Sequence, residues 1–165
     1  MDLKKTYIIA EAGVNHNGSY AKAKKLLIAA KESGADAIKF QTFIPDEVVT
    51  EKLSLAAYQK TSNTKKQKSM LSMIKNLYLN FNEQKKLYKL ANKKKIDFIS
   101  SAFDQKSLDF LCNDLKLNII KIPSGEITNY PYLKEISKKN RKVILSTGLS
   151  NLNEIKQALN VLSSN

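Results

Sequence analysis

The stretch GADAIKFQTF, residues 34–43, sets the reading of this chain. Ser33-Gly34 closes a segment in which Ala23, Leu26, Leu27 and Ala30 recur at helical spacing, and Ala37 to Thr42 then forms a short apolar, β-rich run. Lys39 and Gln41 stand two apart inside that run and so share one face of the predicted strand. A short β-rich run, a polar or glycine-containing turn, then a segment with helical periodicity: the same order recurs in both directions from here.

Upstream, Tyr7 to Ala12 reads as a first strand. Downstream of Thr42 a long stretch holds a predicted helix around Lys65 to Leu79 and another from Glu83 to Lys94, the latter capped by Asn82. A third strand covers Asp97 to Ser101, and Asp104 caps a helix with Leu108 and Leu111 on its apolar side. A fourth strand, Asn118 to Ile122, opens into a loop at Pro123 to Asn129. A short helix around Tyr132 to Lys138 leads to a fifth strand, Lys142 to Ser146. The last helix starts with Asn151 and Glu154 in capping-box spacing, and Leu152, Ile155, Leu159 and Leu162 form its expected buried stripe.

Five strand-then-helix units without a hairpin imply a parallel α/β sheet, because each right-handed crossover returns the chain in the same direction. Two architectures satisfy this, a doubly wound open sheet and part of an eight-stranded barrel. The 165 residues make one domain and fit five open strands, whereas a complete barrel takes about 250. Length alone favours the open sheet, and the strand ends must arbitrate.

In either architecture the working groups lie at the carboxyl ends of the strands. Strand one ends in Glu11, strand two carries Lys39 and Gln41, and strand three ends at Ser100 and Ser101. Strand four carries Lys121 and opens into Ser124, Gly125 and Glu126, while strand five ends at Ser146, Thr147 and Gly148. Two lysines, several hydroxyls and two carboxylates are expected to converge on one mouth. Lysines balance phosphate and carboxylate, and hydroxyls with free backbone amides add oriented hydrogen bonds, so the inventory suits a small, highly charged anion such as phosphoenolpyruvate.

Other chemistries lack their signatures. No Gly-Lys-Ser/Thr follows a glycine turn and no GxGxxG opens the first helix, which weakens nucleotide binding. The lone histidine, His16, has no partner at metal-ligand spacing and reads as a structural loop residue; no catalytic triad is visible. The net charge of +13 comes from lysines spread along the helices, with Arg141 the only arginine, a pattern of drifted surface charge rather than a nucleic-acid interface. The apolar run Tyr7 to Ala10 is too brief for a signal sequence or a membrane span, which leads to the expectation of a cytoplasmic protein with no membrane partner. Cys112, on a predicted helix, reads as a buried inert thiol.

Taken together, IIAEAGVNHNGS, GADAIKFQTF, FISSAF, IIKIPSGEITNYP and VILSTG resemble the sialic acid synthase family, including its legionaminic acid branch, from about Tyr7 to Leu162. The resemblance implies a TIM-barrel-type parallel β/α repeat with about five of eight units present over residues 1–165, the remaining units and an antifreeze-like domain being absent. It implies condensation of phosphoenolpyruvate with an N-acetylmannosamine-type aldehyde to a nonulosonic acid, with release of phosphate. Lys39, Ser101, Lys121, Ser124 and Ser146 would line the phosphoenolpyruvate site, Gln41 would face the sugar, and Glu11 and Glu126 would be the catalytic carboxylates. A divalent metal, manganese or magnesium, is implied as cofactor, with its histidine ligands on strands this chain lacks. The alternative expectation is a truncated or split-enzyme fragment, inactive alone, that binds phosphoenolpyruvate or pairs with a separate C-terminal half or a second copy. Ser101 stands where a threonine is common and keeps the hydroxyl.

Overall fold

The computed structural model describes residues 6–50, 53 and 69–164. The strands are β1 (Ile9–Gly13), β2 (Ala37–Thr42), β3 (Asp97–Ala102), β4 (Ile119–Ile122) and β5 (Lys142–Leu145). The helices are α1 (Tyr20–Glu32), α2 (Pro45–Val48), α3 (Met70–Leu77), α4 (Phe81–Lys94), α5 (Gln105–Asp109), α6 (Tyr130–Ser137) and α7 (Leu152–Leu162). The helix after β3 continues into a π-helical turn, Phe110–Asp114, and the residues after β4 form a 3-10 turn, Ser124–Glu126.

The strands lie in the order β1-β2-β3-β4-β5, and every registered pair is parallel. A doubly wound sheet reverses its strand order at a switch point, whereas a barrel adds each new strand to the same side. Strict sequential order therefore corrects the preference that length gave, and the fold is a run of five barrel-type β/α units. The chain forms two compact units, residues 1–98 and 99–165, which are taken in turn.

In the first unit, Ser19 caps α1 by accepting from the Lys22 amide at 3.3 Å, and the helix stops at Ser33 with Gly34 in the left-handed region. Ala23, Leu27 and Ala30 are buried, as the helical spacing requires. β2 packs Phe40 on Phe98, with ring centroids 5.5 Å apart, and Phe98 meets Tyr88 of α4 edge-on. The Thr42 hydroxyl donates to the Gln84 side-chain carbonyl at 2.6 Å, and the Gln84 amide donates to the Leu79 carbonyl at 3.2 Å. This buried polar chain fixes the end of β2 to the start of α4. Full burial of side chains such as Ile38, Phe40, Leu27 and Leu87 stabilises by about 1.5 to 3 kcal/mol each.

The cap of α4 differs from the expectation. Asn80, not Asn82, accepts from the Glu83 amide at 3.0 Å, and the Glu83 carboxylate accepts from the Asn80 amide at 3.1 Å. The reciprocal box needs the carboxylate three positions after the cap, which only Asn80 satisfies. The predicted helix at 65–79 is observed as Met70–Leu77, with 65–68 outside the described residues, and the short helix at Pro45–Val48 carried no periodic signal. β1 runs two residues later than expected at its start and one at its end.

In the second unit, β4 alternates fully buried Ile120 and Ile122 with half-buried Ile119 and Lys121, the two-residue repeat of a strand with unlike faces. Asp104 caps α5 through the Ser107 amide at 2.8 Å and the Ser107 hydroxyl at 2.7 Å. Arg141 donates to the Cys112 carbonyl at 3.2 Å, a partner for one of the carbonyls in the π-helical turn. Burial pushes the Cys112 thiol up from its ordinary range, in keeping with an inert sulfur. In α7 the Asn151–Glu154 capping box forms, but the expected buried stripe does not: Leu152 is 86% and Leu159 51% exposed, and the helix buries Ala158 instead.

Candidate active site at the strand ends

Two groups of side chains stand at the carboxyl ends of the strands, one in each unit. In the first, β1 and β2 pair with Glu11 directly opposite Lys39, and the register then slips so that Gly13 opposes Phe40. Ala12 is thus the extra residue of a β-bulge, a device that re-aims side chains at strand ends. The result is an ion pair, Lys39 Nζ to Glu11 Oε2 at 2.7 Å, with side-chain exposures of 11% and 54%.

Lys39 is the only buried lysine among the described residues. An ammonium out of water requires a counter-charge, and Glu11 supplies it from the solvent side. Gly13 completes the corner. Its φ is +50°, and a Cβ there would lie 3.1 Å from Glu11 Oε1 and 3.8 Å from Gln41 Nε2. The bare backbone at Gly13 therefore gives room to the Glu11 carboxylate, and Glu11, Lys39 and Gln41 stand together at this corner.

In the second unit, Ser101 on β3 pairs in register with Lys121 on β4. Lys121 Nζ donates to the Ser146 hydroxyl at 2.6 Å and to the Ile122 carbonyl at 2.7 Å. The Ser146 amide also donates to the Ile122 carbonyl at 3.0 Å, which fixes the first residue after β5 against the end of β4. Ser124 lies close to the same loop: a Cβ on Gly148 would sit 3.4 Å from its hydroxyl oxygen.

The Ser101 hydroxyl is buried and has no hydrogen-bond partner. Buried hydroxyls are almost always satisfied, so this one stands ready for a group from outside. Ser101, Lys121 and Ser146 are thus linked by register and hydrogen bond, with Ser124 beside the Gly148 loop. Glu126 stands apart in its contacts: its carboxylate accepts from the Asn129 side chain at 2.7 Å, while Asn129 also caps α6.

One supporting residue carried no sequence signal. Tyr132 of α6 donates from its hydroxyl to the Ala102 carbonyl at 2.9 Å, anchoring the end of β3 next to Ser101. Burial, with Asp104 and Glu126 nearby, raises its phenol far above the ordinary range, so it stays a donor. Its role depends on the meeting of α6 with β3, which no local pattern encodes.

The described residues do not fit a divalent cation. No three His, Cys, Asp or Glu side chains among them stand close enough to share one. His16 Nδ1 accepts from the Gly18 amide at 3.1 Å, so that nitrogen is already engaged. No described helix is long and apolar enough to cross a membrane.

Residues 26–165 match the NeuB family. The chain is 52% identical over 163 residues to the N,N'-diacetyllegionaminic acid synthase of Campylobacter jejuni, covering 99% of this chain and 48% of that protein. It is 47% identical over 156 residues to the synthase of the same name from Legionella pneumophila, covering 94% of this chain and 43% of that one. A solved structure, the N-acetylneuraminic acid synthetase of Leptospira borgpetersenii in complex with citrate, superposes with a TM-score of 0.79 at 29% identity, covering 94% of this chain and 49% of that one. The chain spans about half the length of the curated relatives it matches.

Proposed function

Because the chain belongs to the NeuB family, we propose that it carries the phosphoenolpyruvate-binding part of a nonulosonic acid synthase, one that joins phosphoenolpyruvate to an N-acetylmannosamine-type amino-sugar aldehyde. The observation that carries the reading is the unpartnered buried hydroxyl of Ser101 in register with Lys121, whose ammonium already holds the Ser146 hydroxyl. An anion oxygen satisfies such a hydroxyl and keeps the ammonium paired.

In this reading Lys121, Ser101, Ser124 and Ser146 hold the anion, and Lys39 adds a second positive charge. C3 of phosphoenolpyruvate attacks the aldehyde carbon and forms the new C–C bond, while the aldehyde oxygen gains a proton. C2 is left with cation-like character, which water captures; the C2–O bond to phosphate then breaks and the ketone forms. Glu11, half in solvent and paired with Lys39, is suited to face that carbon and orient the water. Gln41 would contact the sugar, with Glu126 beside the reacting centre.

The divalent cation that the family resemblance implies is assigned to no residue described here, and no step above is routed through it. The compartment we assign is the cytoplasm, where phosphoenolpyruvate is available. Relatives include synthases of N,N'-diacetyllegionaminic acid and of pseudaminic acid, and the legionaminic branch is favoured by the higher identities.

Calorimetric titration with phosphoenolpyruvate tests the reading. Saturable binding is expected, weakened about tenfold or more in Lys121→Ala, since a charge-assisted contact contributes about 1.5 to 3 kcal/mol. Phosphate release with amino-sugar aldehyde and manganese is then measured for the chain alone and with a polypeptide carrying the second half of a relative. Sugar-dependent release in either arm supports the proposal; release in neither, with no phosphoenolpyruvate binding, overturns it.

A further inference from the structure

His16 is buried, yet it belongs to neither cluster and the proposed chemistry does not use it. Its surroundings are specific. Nδ1 accepts from the Gly18 amide at 3.1 Å, and the ring lies beside the Gly13 backbone. The ring also packs at a tilt on Phe40, with centroids 6.1 Å apart.

Gly13 and Phe40 are the two residues that the bulge places opposite each other, and they follow within two residues of Glu11 and directly after Lys39. One ring therefore touches both strands at the point where the register slips. The loop between is held by successive turns, Asn15 N–H to the Ala12 carbonyl at 3.0 Å and Asn17 N–H to the Val14 carbonyl at 2.9 Å. The His16 carbonyl in turn accepts from the amide of Ser19, the cap of α1, at 3.0 Å.

We propose that His16 is a positioning residue: its neutral ring holds the β1 bulge, and thereby sets the Glu11–Lys39 pair that the synthase reading places at the reacting centre. Without the bulge the residues after Glu11 would return to the regular register, and Gly13 would no longer clear the way for the Glu11 side chain. A neutral imidazole fits the task because it donates with one nitrogen and accepts with the other. Metal ligation does not fit, since the accepting nitrogen is occupied and no group of three candidate ligands stands together among the described residues. Proton exchange with substrate does not fit either, since the side chain is buried.

This inference rests on the functional reading only for its consequence, so its test has two readouts. In the full chain, His16→Leu keeps apolar contact with Phe40 and loses the hydrogen bond from the Gly18 amide. His16→Asn keeps an acceptor for the Gly18 amide in an Asx-type turn and loses the Gly13 contact. The Lys39 ammonium is followed by its proton–nitrogen correlation, which a buried ion pair shields from solvent exchange.

The expected result is that the signal seen in the wild-type chain is lost in His16→Leu and weakened in His16→Asn. Phosphoenolpyruvate affinity should fall about tenfold in His16→Leu, as a small misplacement of a binding group produces. Gly34→Ala, which strains a remote turn, should lower stability and leave signal and affinity unchanged. A Lys39 signal retained in both His16 variants overturns the inference, whatever happens to affinity. If His16→Leu does not fold, His16→Asn decides by the same signal. Absence of phosphoenolpyruvate binding in the wild-type chain sinks the functional reading alone and leaves the Lys39 comparison to judge His16.

Discussion

Replacing Gly18 by alanine should destabilise the chain far more than replacing Gly34, although both glycines have left-handed φ angles, +68° and +80°. For either site, an alanine in this region costs about 1 kcal/mol or somewhat more. At Gly34 that is the whole effect, because a Cβ there meets nothing within 4 Å. At Gly18 the new Cβ would stand 2.4 Å from the Asn76 carbonyl oxygen and 3.3 Å from its carbon, with the Tyr78 carbonyl at 3.5 Å. The neighbour is backbone at the end of α3, so relief requires the loop or the helix end to move by about 1 Å, and such overpacking adds about 1 to 3 kcal/mol. The loop cannot yield freely, because the Gly18 amide is the donor to His16. The total for Gly18→Ala comes to about 3 kcal/mol, or a fall in Tm of about 6 to 12 °C for a chain of this size. Urea unfolding followed by far-UV circular dichroism measures both variants against the parent. Equal losses at the two positions would refute the claim that the loop is seated against α3 and leave only the conformational term.

Further outcomes follow from other elements. Asn80→Ala should lose about 1 kcal/mol of stability, and Asn82→Ala less than about 0.5, because only the former removes a capping box. Burial holds His16 below its ordinary pKa of 6.5, with Glu83 pulling the other way. The unfolded chain therefore binds the proton first: the stability this neutral ring contributes is complete above about pH 6.5 and is lost as pH falls from there through the folded value, which unfolding curves between pH 7.5 and 5 should record and His16→Asn should flatten. Cys112, buried with its thiol pKa raised, should react with an aromatic disulfide reagent only after denaturation; prompt reaction of the folded chain would contradict its placement. Ser146→Ala should weaken phosphoenolpyruvate binding less than Lys121→Ala, because the ammonium keeps its contact with the Ile122 carbonyl.

Some features were legible because they are local. Alternation placed Lys39 beside Gln41 on one strand face, glycine after Ser33 ended α1, and Asn151 with Glu154 announced the last capping box. The same rule, applied to residues 80–83, would have found the Asn80 cap that was missed, since the box spacing was present in the sequence. The stripe on α7 failed for a different reason. Helical periodicity says which residues share a face, but which flank of that face is covered depends on the neighbouring unit, and Leu152 and Leu159 lie on the uncovered flank.

By itself the sequence determined the alternation of strands and helices, the polar residues that end each strand, and through its motifs the family. The tertiary structure decided the rest. Sequential strand order chose barrel-type units over a doubly wound sheet, a choice that length had argued the wrong way. The bulge at Ala12 brought Glu11 onto Lys39, and packing of β3 against its neighbours buried the Ser101 hydroxyl without a partner. His16 gained its place against Phe40 only when β1 and β2 paired. Propensity and periodicity act over a few residues along the chain, whereas register, burial and unsatisfied hydrogen bonds arise between segments distant in sequence, and those set the chemistry of the site.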